Sequence, residues 1–334
     1  MMRSLKSCLV ILPVLLIMVT SSCAQEETIK VLAGTGEAGF EDGTAGKMNK
    51  PIRFTAFHDN SVIFADINNH AIRSVNLKGE IKTIAGGPDK EGFLDGPADQ
   101  AKFKSPHGVA YDPATGIIYV ASASNHVIRM LTPTEDGGYV VSTLAGVPGK
   151  SGFADGQVDS ALFNSPHGVV IAPGGGIYLI DIGNSRVRKI KDGIVSTLAG
   201  TGDAGSMDGS PGEATFTYPI DLVMDGENIL IADAATNSIR KIIPGSEVST
   251  IIVNDTLDTP HGVAIDKKGV VYEADMGSHR IISINKDGTT YVLAGVGTAG
   301  QGIEELNKPA AVLVHAGYLW IADLDNHQIK VIKL

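Results

Sequence analysis

Three histidines occupy one repeated local setting: Ser105-Pro106-His107-Gly108-Val109, Ser165-Pro166-His167-Gly168-Val169 and Thr259-Pro260-His261-Gly262-Val263. Neutral imidazole nitrogens suit zinc, copper or iron, and three of them facing a common axis would leave positions open for water or substrate. The same residues can instead contact an organic ligand, or simply cap the start of a strand by hydrogen bonding. What decides between these readings is the framework that brings the three together.

Related segments begin at Pro51 (Pro-Ile-Arg-Phe), Pro219 (Pro-Ile-Asp-Leu) and Pro309 (Pro-Ala-Ala-Val), so the chain is a repeat protein with six copies. Each copy continues with a turn and a second apolar stretch that ends at Asp66, Ser122, Asp181, Asp233, Asp275 or Asp323. A short turn follows, carrying Asn-His at Asn69-His70, Asn125-His126 and Asn326-His327. A third, alternating stretch places a cation seven residues beyond the Asp position, at Arg73, Arg129, Arg188, Arg240 and Lys330. The fourth has the form Ser142-Thr143-Leu144-Ala145-Gly146. Four strands per repeat make a propeller blade.

The sixth copy stops at Leu334 after its third strand, and a matching fourth strand stands at the other end, Thr28-Ile29-Lys30-Val31-Leu32-Ala33-Gly34. Pairing the two closes the ring and removes both exposed sheet edges. The expected fold is therefore all-β, a six-bladed β-propeller with four antiparallel strands per blade over residues 28–334.

In such a ring the strand starts and the Asn-His turns share one face, and the first strand lies innermost. His107, His167 and His261 are thus expected at the mouth of the central channel. They belong to blades 2, 3 and 5, whereas a trigonal metal set asks for alternate blades. Arg53 and Asp221 take the glycine position in blades 1 and 4, which puts opposite charges across the same opening. Glu273 stands where the other blades hold Phe64, Val120, Leu179, Ile231 and Ile321. A carboxylate at such an apolar position must be paired or protonated. A pairing with His261 would make it a general base or a group that orients the imidazole; a satisfied pair with another polar neighbour is the structural alternative.

The connections between blades share Gly39-Phe40-Glu41-Asp42-Gly43, Gly92-Phe93-Leu94-Asp95-Gly96 and Gly152-Phe153-Ala154-Asp155-Gly156. Phe40, Phe93 and Phe153 are expected to plug gaps between blades, while the Asp-Gly pairs turn the chain. The connection at 254–259 is much shorter, so that sector should be more open. His70, His126, His279 and His327 are read as structural turn residues, and the Asp and cation seven apart as fixing the same turn.

The 334 residues include 40 glycines and a single tryptophan, in keeping with many turns between short strands. The net charge is −10, and losing Arg3 and Lys6 with a leader deepens it, so nucleic acid is a poor partner. Arg3 and Lys6 precede an apolar run from Cys8 to Val19 and then small residues, which marks residues 1–22 as a signal peptide. Cys23 sits where bacterial lipoproteins carry their lipidated cysteine, and the segment resembles that class; ordinary cleavage after Ala24 is the other option. The expected organisation is a signal peptide, a tether over 23–27 and the propeller. The expected location is extracytoplasmic, in the periplasm, at the cell surface or as an outer-membrane lipoprotein touching the membrane only through its anchor. Cys8 and Cys23 both precede the propeller, so no disulfide or thiolate metal site is expected within it. The Gly-Thr-Gly-x-x-Gly runs at Gly34 and Gly200 lead into no helix and are not phosphate loops. A monomer is expected.

The Asn-His turn, the Ala-Asp before it, the Ile-Arg after it and the Thr-Leu-Ala-Gly strand resemble NHL repeats, over about residues 28–334. The resemblance implies the six-bladed fold. It leaves function open, because NHL propellers include protein-binding and RNA-binding modules, sensor domains of bacterial receptors and a lyase acting on peptidyl-hydroxyglycine. Two functions are carried forward. The first is an extracytoplasmic propeller binding a peptide, glycan or protein ligand at the channel mouth through His107, His167, His261, Arg53 and Asp221. The second, implied by similarity to the lyase, is a metal-dependent lyase or hydrolase with zinc or another divalent metal on His107, His167 and His261. There Arg53 and Glu273 would be the substrate or acid–base groups.

Overall fold

The computed structural model describes residues 29–253 and 257–334. The expected signal peptide, Cys23 and the expected tether lie outside the described residues, as does part of the short connection before blade 5.

The described residues form six antiparallel sheets, whose main strands follow sequence order outward from the axis except that the first strand of the chain lies outermost in the last blade. The inner strands are Pro51–Ala56, Pro106–Tyr111, Pro166–Ile171, Pro219–Asp225, Pro260–Ile265 and Pro309–His315. Each packs against the next and the sixth packs against the first, so the ring is closed. The second strands end at Asp66, Ser122, Asp181, Asp233, Asp275 and Asp323, as the repeat predicts. Closure also follows the expectation: Lys30–Ala33 runs antiparallel to Gln328–Lys333, with Val31 opposite Lys330. Ile29 and Ala33 are buried in that seam. The sheets carry one feature beyond the repeat. Two-residue strands Gly43–Thr44, Gly96–Pro97 and Gly156–Gln157 line the outer edge of blades 1, 2 and 3, where they cover part of an otherwise unpaired edge.

Neighbouring blades pack face to face through the alternation of the second and third strands. Val120 of blade 2 clusters with Ala65 and Ile72 of blade 1, and Leu179 of blade 3 with Ala121 and Ile128 of blade 2. Ile231 meets Ile180 and Val187 in the same way, and Ile321 meets Ala274 and Ile281.

Four blades bury an ion pair at the end of the second strand: Arg73 with Asp66 at 2.8 Å, Arg188 with Asp181 at 2.6 Å, Arg240 with Asp233 at 3.6 Å and Lys330 with Asp323 at 3.0 Å. The sequence reading assigned these pairs to the local turn, and the structure gives them a longer reach. The remaining donors of Arg73 hold Lys47 O at 2.6 Å, Glu41 O at 2.7 Å and Asp42 Oδ1 at 2.7 Å, all in the connection from the previous blade. Asp42 in turn accepts from the Thr83 amide and hydroxyl on the fourth strand. Arg129 with Asp95 and Thr143, Arg188 with Asp155 and Thr197, and Arg240 with Asp208 and Thr250 repeat the arrangement. One buried guanidinium thereby ties turn, connection and outer strand together.

This geometry corrects the expectation for Phe40, Phe93 and Phe153. They are 37%, 37% and 45% exposed, and their rings stack on the guanidinium groups of Arg73, Arg129 and Arg188 at 4.6, 4.6 and 4.8 Å. The connection arches over the arginine, so its aromatic ring meets a cation rather than a gap. The gaps are filled by the fully buried Phe103, Phe163 and Phe216.

The turn histidines are structural, by a specific route. His70, His126 and His327 adopt left-handed conformations with φ of 52°, 59° and 53°, which end the turn. Their Nδ1 atoms then accept from the backbone N–H of Ser105, Ser165 and Lys50 in the next blade, at 3.4, 3.1 and 3.2 Å. His279 does the same with Lys308 at 3.0 Å.

Replacing Arg188 by Met leaves Asp181 and Asp155 without their cation, and removing one member of a buried pair costs about 3–5 kcal/mol. The urea midpoint of Arg188→Met should fall accordingly with an unchanged m-value; a loss below about 1 kcal/mol, the range of surface pairs, would sink the staple reading.

Candidate functional site at the channel mouth

The inner strands start so close to the axis that little but backbone fits there. A Cβ added to Gly108 would fall on His167 O of the next blade, and one added to Gly262 on the backbone of Ala311. Small residues suit this close approach, with glycine in blades 2, 3 and 5 and Ala311 in blade 6, and the two blades that carry a charged side chain there lie opposite each other in the ring. Arg53, held at φ 49° in blade 1, crosses the axis to blade 4 and pairs with Asp221 at 3.3 Å. Its Nη1 donates to His261 O and Ala310 O, both at 3.0 Å, and its Nη2 to Ile220 O at 2.9 Å. Asp221 also accepts from the Val263 N–H at 3.1 Å. Burial pushes the Asp221 carboxyl up and the Arg53 guanidinium down, and the charge of each opposes the shift of the other. The opposite charges expected across the opening are therefore spent on each other and on the backbone of blades 4, 5 and 6. Beneath them an apolar cavity of about 250 Å³ runs towards the far face, lined by residues such as Phe54, Val109, Val169, Leu222, Val263 and Val312.

The three histidines lie on the near side of this bar. Each is turned by a hydrogen bond from Nδ1 to a backbone carbonyl: His107 to Ser105 O at 3.0 Å, His167 to Ser165 O at 2.8 Å, and His261 to Ala310 O at 2.8 Å. A carbonyl only accepts, so the proton sits on Nδ1 and Nε2 carries a lone pair. His107 and His167 touch, with ring centroids 4.1 Å apart and planes tilted by 49°. Burial holds all three neutral: His107 is lowered to about 4, and His167 and His261 lie well below the ordinary value. Nearby positive charge on Arg53 adds to the effect.

The trio does not converge as a metal-ligand set. Among the described residues no three His, Cys, Asp or Glu side chains are grouped to hold a metal ion. The physical reason is the register: each histidine follows the proline of its strand and leans towards its own or the next blade's backbone, leaving the axis to Arg53 and Asp221.

Glu273 is fully buried, as its position predicts, and neither carboxyl oxygen has a hydrogen-bond partner. It does not pair with the His261 ring, whose Nδ1 is taken by Ala310 O. Burial pushes Glu273 well above the ordinary carboxylate range, the negative charge of Asp275 adds to this, and the His261 backbone amide eases it. Asp275 is itself raised to about 6, chiefly by burial. Its missing cation was legible beforehand, since the residue seven beyond it is Ile282.

A carboxyl that stays protonated in the fold but ionises in the unfolded chain makes stability fall as pH rises above the unfolded value near 4.5. Glu273→Gln removes that dependence, so its advantage over the wild type should grow by about 1.4 kcal/mol per pH unit above pH 5 and vanish below pH 4. Urea midpoints at pH 4, 5.5 and 7 in buffer free of divalent cations read this directly, and parallel profiles for the two proteins would contradict it.

Comparison with known proteins agrees with this architecture. Residues 163–190 match the NHL repeat model. The chain is 29% identical to the Bos taurus "NHL repeat-containing protein 2" over 85% of its own length and 46% of that protein's. It thus spans about half the length of the curated relatives it matches. Two solved structures from Bacteroides thetaiotaomicron share the fold at low identity. A protein of unknown function superposes with TM-score 0.68 and 16% identity over 92% of this chain and 75% of its own. An auxiliary nutrient binding protein superposes with TM-score 0.67 and 13% identity over 91% and 75%. With an NHL repeat matched at residues 163–190, similarity to an NHL repeat-containing protein over most of its length and a ring closed by its own first strand, the chain is a six-bladed β-propeller that carries an NHL repeat in blade 3.

Proposed function

We propose that this protein is an extracytoplasmic binding propeller, tethered through Cys23, that holds a neutral peptide or glycan at the histidine-lined mouth. The observation that carries the reading is the shared orientation of His107, His167 and His261: Nδ1 is committed to backbone, and Nε2 is left as an acceptor on an uncharged ring. Such a surface suits hydroxyl or amide N–H donors and gives no advantage to an anion. His107, the most exposed of the three, would meet the ligand first. The likeness to a nutrient-binding structure is compatible with this role at the level of fold.

The lyase or hydrolase reading has less support. It requires three convergent metal ligands, which the histidines do not provide, and an available arginine and acid. Arg53 is engaged with Asp221 and three carbonyls, and Glu273 is sealed between strands.

Arrays of glycans and peptides probed with the labelled protein should give a bound class that the His107→Phe/His167→Phe double variant loses by about tenfold or more, the worth of one or two hydrogen bonds. Protonation turns Nε2 from acceptor into donor. Because the His107 pKa is depressed to about 4, binding should be constant from pH 8 to about 5 and fall near pH 4. Retention by the double variant, or loss of binding centred on pH 6.5, would reject the proposal.

A further inference from the structure

The six blades are internal copies, so each can be read against the others. In four of them the residue two before the buried aspartate is apolar, and its cross-strand partner is the cation that pairs with that aspartate. The register sets Phe64 opposite Arg73, Leu179 opposite Arg188, Ile231 opposite Arg240 and Ile321 opposite Lys330. Blade 5 sets Glu273 opposite Ile282. The apolar and charged members have exchanged strands, and the charge has changed sign. Blade 2 solves the same problem differently, since it holds Ser122 in place of the aspartate and keeps Arg129.

Blade 5 therefore has two fully buried acids where its sisters have one acid and one base. Glu273 and Asp275 are two apart on a strand, so their side chains leave the same face. Asp275 is already oriented: Oδ1 accepts from the Asp258 N–H at 2.7 Å, and Oδ2 accepts from the Ser278 hydroxyl. Apart from the His261 backbone amide nearby, which makes no close hydrogen bond to it, Glu273 has no partner for either oxygen. The other charges acting on Asp275 are Asp258, which adds to the negative potential, and Arg280, whose guanidinium lies against Gly297.

We propose that blade 5 binds a hard divalent cation of the calcium type between the Glu273 and Asp275 carboxylates, with the Ser278 hydroxyl as a third oxygen. The ion would do for blade 5 what the built-in guanidinium or ammonium does for its sisters. Two carboxylates balance its charge, and a purely oxygen donor set favours calcium over zinc or copper. Calcium also tolerates the irregular geometry that magnesium resists. This site is separate from the histidine mouth and requires no ligand there.

The test uses the whole chain, stripped with a chelator and then titrated with calcium or magnesium chloride while thermal unfolding and binding heat are followed. Calcium at a hundredfold excess over its Kd should raise Tm by about 4 °C, and Glu273→Gln and Asp275→Asn should each lose that response. Ile282→Lys returns the cation of the sister blades, so it should raise the Tm of the metal-free protein and abolish the calcium response. Should Asp275→Asn fail to fold, Glu273→Gln decides, because its amide preserves the shape of the side chain. An unchanged wild-type Tm, a response to magnesium alone, or a full calcium response in Glu273→Gln would each overturn the assignment.

Discussion

The constraint on which this molecule rests is steric crowding at the axis. Six strand starts converge until the backbone of one blade touches the next, which is why a Cβ at Gly108 or Gly262 would have nowhere to go. The crowding turns the carbonyls of Ile220, His261 and Ala310 towards one another, and only a multidentate donor can satisfy them together. Arg53 is that donor, with Asp221 supplying the compensating charge from the opposite blade. A planar guanidinium can meet a carboxylate and several carbonyls at once, which a lysine ammonium does less well.

Away from the axis the same chemistry recurs on a larger radius. A propeller blade is flat and its connections are long, so something must hold each connection against the sheet. Buried arginines do so in blades 1 to 4, with an exposed phenylalanine stacked outside the guanidinium in the first three. Lys330 holds Gly302 O and Glu305 O in blade 6. The turn histidines add a second stitch by accepting an amide hydrogen from the following blade. Apolar packing between blades is thus joined by a cation in every blade but the fifth and by a turn histidine in blades 1, 2, 5 and 6, which distributes stability around the ring as expected for repeats.

Two groups of titratable residues stand apart from that scheme, and they differ in kind. The mouth histidines are neutral because they are buried near a guanidinium, and each has a defined tautomer. Glu273 and Asp275 are raised chiefly by burial, and the negative charge of Asp275 adds to the shift of Glu273. The first group offers acceptors to an incoming molecule; the second stores an electrostatic imbalance inside the framework. Perturbed groups of this sort concentrate where proteins bind or react, and here one set lies at the mouth on blades 2, 3 and 5 and the other inside blade 5.

The repeat spacing by itself determined the number of blades, the ends of the second strands and the closing of the last blade by the N-terminal strand, because strand length and hydrophobic alternation are local properties that six copies reinforce. It also exposed Glu273 as an acid in an apolar row. Only the tertiary structure decided where the phenylalanines of the connections went, since a ring seeks either a gap or a cation and the sequence does not show which lies beneath it. The same holds for the three histidines: their shared motif placed them on one face, but the direction of each ring depends on which carbonyl, from its own blade or the next, comes within reach of Nδ1. Side-chain orientation at a crowded axis is a property of the assembled ring, and no single repeat contains it.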